Sequence, residues 1–135
     1  MDLNTNPKKT QSTGTLIVKV STARGAIPLE GAAVSIRGST PDTSGIIYSL
    51  SSDRDGLTDR VTLPAPARVL SSSPGNSAPY SLWNVDVFKE GYIPVSFQNV
   101  PVFASVVSVQ PAIMIPESEG FRKTQIYNES EAPQL

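Results

Sequence analysis

Residues 80–100 constrain the fold of this chain more than any other stretch. Apolar and polar side chains alternate on both sides of a short Lys-Glu-Gly turn at residues 89–91, the pattern of two strands that each bury one face. The apolar positions are Trp83, Val85 and Val87 before the turn, and Ile93, Val95 and Phe97 after it. Gly91 can adopt the positive φ that such a turn needs. The stretch therefore predicts a β-hairpin that carries the only tryptophan of the chain.

Further short apolar segments, punctuated by glycine and proline, predict the remaining strands. They span residues 15–21, 32–37, 46–51, 57–63 and 104–110. Pro64 and Pro101 are expected to end strands. Pro111 is expected to interrupt the last one, which resumes past a bulge at a sheet edge and carries Val107 and Val109 toward the core. The pattern predicts an all-β fold, an antiparallel β-sandwich of about seven strands with an Ig-like Greek-key arrangement.

The chain has 135 residues, enough for one domain with a sizeable core. Residues 1–13 are polar and aperiodic, which predicts a flexible lead-in. Residues 14–116 hold the strand pattern and are predicted to form the sandwich domain. Residues 117–135 are mostly polar, and we expect a tail whose few aromatic side chains dock on the domain or on a neighbour.

Charge and hydropathy argue against two classes of partner. The chain carries 11 basic and 12 acidic residues, far from the basic balance of a nucleic-acid-binding protein. No apolar run approaches the roughly 20 residues that cross a bilayer, so a membrane partner is not expected. The first residues show no apolar segment behind their charges, which favours a cytoplasmic location over secretion.

The chain contains no cysteine and no histidine. Disulfides, thiol catalysis and thiolate metal sites are therefore excluded. The commonest general base and the commonest zinc ligand are missing as well, together with the middle member of Ser-His-Asp sites. We therefore expect a protein that is not an enzyme and holds no cofactor and no metal.

Two polar segments could still suggest a site. An Asp-Arg-Asp-Gly sequence at residues 53–56 resembles the start of a calcium loop, but the twelfth position, where an EF-hand needs glutamate, is Pro64. A turn held by Asx-type hydrogen bonds is the favoured interpretation. Serines at 51–52 and 71–73 offer hydroxyls without a neighbouring base, which predicts solvated loop residues.

A loop of about sixteen residues is predicted at 64–79, longer than structureless loops usually are. It could contact a glycan or a peptide through Arg68, Asn76 and Tyr80, although a plain surface loop is the simpler interpretation. Exposed strand edges are the alternative contact surface, because an open sandwich can accept a partner strand.

The order of motifs resembles the carboxypeptidase regulatory-like, or prealbumin (transthyretin)-like, family of β-sandwich modules. The matching segments are an opening strand at 14–20, Pro-Leu-Glu-Gly-Ala-Ala-Val at 28–34, Ser-Asp-Arg-Asp-Gly at 52–56, and a tyrosine-containing strand that leads to Lys-Glu-Gly-Tyr at 89–92. A Pro-Ala-Pro loop at 64–66 and a closing Gln-Pro-Ala-Ile-Met-Ile-Pro at 110–116 are similar to modules of bacterial peptidoglycan-binding or spore-cortex-lytic proteins.

The resemblance implies a bacterial accessory module that mediates protein–protein interaction or assembly, with peptidoglycan or cortex glycan as the alternative ligand. The identity of a protein partner is left open, and a homo-oligomer is compatible with the sequence. Association with the cell wall or the spore is implied alongside the cytoplasmic expectation. Enzymes on related sandwiches, the hydroxyisourate hydrolases and the intradiol dioxygenases, use histidine, which this chain lacks.

Overall fold

The computed structural model describes residues 12–67, 80–117 and 124–129. These residues form strands β1 (Ser12–Thr22), β2 (Ile27–Pro28), β3 (Ala33–Gly38), β4 (Ile47–Ser51), β5 (Val61–Ala65), β6 (Tyr80–Phe88), β7 (Val95–Phe103), β8 (Val107–Met114) and β9 (Gln125–Asn128). A short 3-10 helix, Ala23–Gly25, follows β1. The strands form two sheets with an apolar layer between them, so the predicted all-β class is confirmed.

The first sheet is built around β1. On one side of β1 lie β5 and β2, both antiparallel to it, and on the other side lies β8, which runs parallel to it. The second sheet has the order β4-β3-β6-β7-β9, in which β9 runs parallel to β7.

Two parts of the sequence prediction are therefore wrong. The described residues form nine strands and not seven, and two of the pairings are parallel. A tight turn can join only antiparallel neighbours, whereas parallel neighbours need a connection that crosses over. Both parallel pairs meet this condition because the chain passes through the other sheet between their members.

The core consists of alternate residues from both sheets, as the two-residue period requires. All six apolar positions predicted for the hairpin are buried: Trp83, Val85, Val87, Ile93, Val95 and Phe97. The Trp83 indole N–H donates to the Ser81 hydroxyl (2.8 Å), which donates in turn to the Pro64 carbonyl (2.6 Å). This relay satisfies the one polar group of the largest core side chain and ties the second sheet to β5 of the first.

Three strands run through prolines that the sequence predicted to end or interrupt them: Pro64 in β5, Pro101 in β7 and Pro111 in β8. In β7 the reason lies at Leu82, the partner of Pro101, whose carbonyl accepts the N–H of Ser39 (3.1 Å) and so faces β3. Leu82 and Pro101 are therefore not hydrogen-bonded to each other. The ring nitrogen of Pro101 points to the side of β7 that faces away from β6. On that side β9 does not extend as far as Pro101, so no inter-strand hydrogen bond is lost.

The valines of β8 lie outside the core, contrary to the sequence prediction. Val107 and Val109 are each 52% exposed, whereas Ala112 and Met114 are buried. The register of β8 against β1 has no bulge, so side chains alternate between the inner and outer faces without interruption along the whole of β8. The C-terminal half of β8 points its alternate side chains into the core. Because side chains alternate between the two faces of a strand, both valines then point to the outer face.

Part of the segment predicted as a tail pairs with the second sheet. Within residues 117–135, β9 lies beside β7, and the Tyr127 ring stacks on Phe97 with centroids 5.4 Å apart. The stacking extends the apolar layer to the edge of the sheet.

Replacing the central ring tests this arrangement. The Trp83→Ala variant is expected to lose about 3–5 kcal/mol of unfolding free energy, because Trp83 is fully buried and its removal leaves a cavity. Urea denaturation measures the loss. The matched control is Phe88→Ala on the same strand, where the ring is 55% exposed and the expected change is about 0.5 kcal/mol. A loss below ~1 kcal/mol for Trp83→Ala would place its ring outside the core.

Candidate functional site

The structure covers one of the three contact residues predicted from the sequence. Arg68 and Asn76 lie outside the described residues, as does most of the 64–79 loop. Tyr80 begins β6, and its ring packs edge-on against Phe103 with centroids 5.4 Å apart. Tyr80 thus contributes a half-buried aromatic pair at one end of the second sheet.

The turn at residues 53–56 has the Asx geometry that the sequence predicted. The Asp53 carboxylate accepts the N–H groups of Asp55 (2.9 Å) and Leu57 (3.0 Å). These bonds engage the oxygen that a calcium loop would direct at the metal. Within the described residues, no three acidic side chains converge on a common point.

Ser52 corrects the prediction that the serines at 51–52 are solvated loop residues. Its hydroxyl is buried, donates to the Leu29 carbonyl (2.7 Å) and accepts the Ala32 N–H (2.9 Å). Ser51 is exposed, but it belongs to β4 and not to a loop. The hydroxyl of Ser52 therefore joins two loop segments far apart in sequence, and it is committed to the fold.

Strand edges are the next place to look for a contact surface, because an edge presents backbone donors and acceptors that no neighbour uses. The first sheet has open sides at β8, at β5 and at β2, which is only two residues long and contains Pro28, and the second sheet has them at β4 and β9. These edges differ in how far proline, side chains or short length protect them.

The open side of β8 is interrupted by proline. The N–H of Thr15 donates to the Val106 carbonyl (2.9 Å), so the even-numbered residues of β8 face β1. Pro111 then lies among the odd-numbered residues that face away, where it presents no N–H and places its ring on the edge. A second strand could not form a continuous ladder along β8.

The open side of β5 is covered from the other sheet. Thr13 is the β1 residue opposite Pro64, and its backbone groups point toward the β8 side of β1. The backbone carbonyl of Pro64 therefore points away from β1. The Pro64 carbonyl accepts the Ser81 hydroxyl (2.6 Å), and the Thr62 carbonyl accepts the Tyr48 hydroxyl (3.4 Å). Proline and two cross-sheet hydrogen bonds together close this edge.

The edge formed by β9 is short. The strand spans only Gln125–Asn128, and the Asn128 side-chain oxygen accepts the amide of Asn99 (3.3 Å). Gln125 donates its N–H to the Pro94 carbonyl (3.0 Å), so the backbone groups of alternate residues point toward β7. Only those of Ile126 and Asn128 point away from it.

Hydrogen bonds just beyond both ends of β4 show which way its backbone groups point. The Gly38 N–H donates to the Ile46 carbonyl (3.2 Å), and the Ser52 N–H donates to the Ala32 carbonyl (3.1 Å). Bonded and non-bonded pairs alternate in an antiparallel ladder, so the even-numbered residues of β4 bond to β3. The N–H and C=O groups that point to the open side, which we call the β4 edge, belong to Ile47, Ser49 and Ser51.

The β4 edge lacks the usual protection of an exposed strand. Its sequence, Ile-Tyr-Ser-Leu-Ser, contains neither proline nor a charged residue, and its register against β3 has no bulge. Tyr48 and Leu50 point inward and pack at the rim of the core. Ile47 points outward and is 59% exposed. Among the edges of the described residues, β4 is the one best suited to receive another strand.

A shallow groove of about 370 Å³ crosses the outer face of the second sheet beside β4. Side chains from four strands line it, among them Ser35, Ser49, Asp86, Phe88 and Pro94. The hydroxyls of Ser35 and Ser49 make no hydrogen bond with the rest of the described chain. Asp86 is about half exposed and lies 3.8 Å from the Arg37 guanidinium. The groove thus offers unengaged polar groups next to an exposed ring.

The fold resembles domains of larger proteins. It superposes on the Bacillus anthracis TIE protein with a TM-score of 0.51 and 12% identity, covering 78% of this chain and 17% of that one. It superposes on catechol 1,2-dioxygenase from Acinetobacter sp. ADP1 with a TM-score of 0.54 and 16% identity, covering 86% of this chain and 56% of that one. No protein-family model and no curated protein matches the sequence.

These similarities show a shared β-sandwich architecture. The chain spans about a sixth of the length of the TIE protein and little more than half of the dioxygenase. At such low identity the likeness extends to the fold alone, because one sandwich supports many unrelated functions. The described residues also contain no helix with the length and apolarity needed to cross a membrane.

Proposed function

We propose that this chain is a non-catalytic β-sandwich module that mediates protein–protein interaction by accepting an extended segment along the β4 edge. The observation that carries the proposal is the set of outward-pointing backbone groups on Ile47, Ser49 and Ser51, which no described residue covers. Strand addition of this kind takes its affinity from main-chain hydrogen bonds and its specificity from alternate side chains. The absence of histidine and cysteine supports the non-catalytic part of the proposal.

The same proposal includes membership of the carboxypeptidase regulatory-like, or prealbumin-like, modules of bacteria. The turn geometry supports it, since Gly31 and Gly56, two glycines of the resembling motifs, both have φ of +81°. An accessory role beside peptidoglycan-binding or spore-cortex-lytic proteins follows from that family, and so does a location in the cytoplasm or at the cell wall or spore. Both remain predictions.

The magnitude of such binding can be estimated from the backbone. Three residues with both groups free allow six hydrogen bonds to an added strand. At about 1 kcal/mol each they contribute roughly 6 kcal/mol, which corresponds to a Kd of tens of micromolar before the cost of association. Contacts with Tyr48 and Leu50 would add to this, because both lie only partly buried at the core rim. The expected interaction is therefore weak to moderate unless the partner also uses the outer face.

A generic strand tests the β4 edge without knowledge of the natural partner. A short synthetic peptide of alternating threonine and valine, flanked by lysines, is titrated into labelled protein at a dilution where the chain is monomeric. We expect the N–H groups of Ile47, Ser49 and Ser51 to exchange with solvent at least about ten-fold more slowly with peptide than without it. Nuclear magnetic resonance measures the exchange residue by residue.

Proline substitutions on two edges serve as the matched pair for this test. Ser49→Pro removes an outward N–H from β4 and should abolish the protection, whereas Val109→Pro removes an outward N–H from β8 and should leave it unchanged. Protection that appears along β8 instead would contradict the proposal. So would slow exchange at Ile47, Ser49 and Ser51 without peptide at every dilution, since another part of the chain would then cover the edge.

A second candidate function is binding of peptidoglycan or cortex glycan, and the groove on the outer face favours it. Sugars are bound by hydroxyl and carboxylate groups beside an exposed ring, and Ser35, Ser49, Asp86 and Phe88 supply these groups there. Arg68 and Asn76, which the sequence also suggested for this role, lie outside the described residues. We rank this function second, because the groove is shallow and open.

Co-sedimentation with purified sacculi tests the glycan candidate. We expect wild-type protein to sediment with sacculi at physiological salt and to be released by soluble muropeptides. Phe88→Ala should weaken the association roughly ten-fold, or about 1.4 kcal/mol, through the lost ring contact. The control is Tyr127→Ala, an exposed ring outside the groove. Equal losses for the two variants, or no sedimentation of the wild type, would remove this candidate.

A further inference from the structure

We propose that the segment received by the β4 edge is β4 of a second copy of this chain, paired antiparallel about a two-fold axis at Ser49. The inference rests on the proposed function, because it uses the same edge, and it names the partner. Two-fold pairing is the commonest way in which identical subunits associate, and it requires a surface that is complementary to itself. The backbone and the side chains of β4 both meet that requirement.

The backbone pattern is self-complementary when Ser49 faces Ser49 of the second copy. Ile47 then faces Ser51 of the second copy, and Ser51 faces Ile47 of the second copy. All of these residues have both backbone groups on the open side, so each of the three pairs exchanges two hydrogen bonds. The six bonds use every free N–H and C=O of the β4 edge on both copies.

Side-chain size is complementary in the same register. On the outer face, the exposed Ile47 lies beside the small Ser51 of the second copy, and the small Ser49 lies beside itself at the axis. On the inner face, Tyr48 lies directly opposite Leu50 of the second copy, an aromatic–aliphatic pair that stabilises antiparallel strands. A large or charged residue at position 49 would meet its own copy at the axis, and serine avoids this conflict.

Charge does not oppose the pairing. The five residues of β4 are uncharged, and the nearest charged residue on the outer face of β3 is Arg37, opposite Ile47. In the paired sheet Arg37 is separated from Arg37 of the second copy by Ile47, Ser49 and their partners, and it already lies 3.8 Å from Asp86. Like charges directly opposite each other would destabilise a pair of strands, and none occur here.

The other edges of the described residues do not offer the same surface. Along β8, Pro111 would leave carbonyls of the facing strand without donors. Along β5, hydroxyls of Tyr48 and Ser81 already occupy the outward carbonyls. On β9 only alternate residues of a four-residue strand point away from β7. Pairing of identical edges is therefore expected at β4.

Sedimentation equilibrium measures the association directly. For the wild type, the weight-average mass is expected to rise with concentration from the monomer value of 14.4 kDa toward twice that value. Ser49→Pro should remain at the monomer mass over the same range, and Val109→Pro should associate as the wild type does. A wild type that stays monomeric at submillimolar concentration would overturn the inference, and so would Ser49→Pro that still forms the dimer.

A charge pair at the axis tests the register and does not rely on proline. Ser49→Lys and Ser49→Asp should each be monomeric, because two like charges would face each other at the two-fold axis. An equimolar mixture should recover dimers, with a Kd at least about ten-fold lower than that of either variant alone. Circular dichroism confirms that each variant is folded. No recovery in the mixture would overturn the pairing centred on Ser49.

The peptide experiment separates failure of this inference from failure of the proposed function. If the wild type is monomeric but the threonine–valine peptide still protects Ile47, Ser49 and Ser51, the edge accepts strands and the occupant is a different protein. If neither self-association nor peptide protection occurs, both the function and its partner are wrong.

Discussion

The hydrogen bonds on the two sides of β1 are the constraint on which the rest of the structure depends. β8 covers one side, while β5 and β2 cover the two ends of the other. Between β5 and β2 no strand is present, and the turn after β4 takes its place: the Thr58 hydroxyl accepts the Val18 N–H (3.0 Å), and the Gly56 carbonyl accepts the Val20 N–H (2.7 Å). Because buried backbone groups must be paired, this turn has to lie against β1, and its position fixes where β4 ends.

That arrangement leaves β4 exposed in a way that the other edges are not. The turn that completes β1 takes the chain away from the second sheet, so β4 ends that sheet and has β3 as its one described neighbour. Proline, cross-sheet hydroxyls or short length protect β8, β5 and β9. An edge without such protection is a hazard for a protein with no use for it, because it promotes uncontrolled association. We therefore interpret the β4 edge as a contact surface that the fold preserves.

The sequence predicts local features well and neighbours poorly. Alternation identified Trp83 as core, and Asp53 marked its own turn, because both signals lie within a few residues. The effect of Pro101 depends on which side of β7 its nitrogen faces, and that is decided by register with β6 and β3. Burial of Ser52 likewise depends on Leu29, 23 positions away. The open side of β4 is a property of sheet order, so alternation within residues 46–51 could not reveal it.

Disulfide trapping tests the role of the β4 edge most directly, since the chain has no cysteine of its own. In a bonded antiparallel pair the Cα atoms are about 5.5 Å apart, within the range of about 4.4–6.8 Å that a disulfide spans. Under mild oxidation, the Ser49→Cys variant is predicted to form a covalent dimer rapidly, whereas Val109→Cys, at a position on β8 that is also exposed, should react slowly. Equal rates for the two variants, or faster trapping of Val109→Cys, would contradict the assignment of β4 as the contact surface.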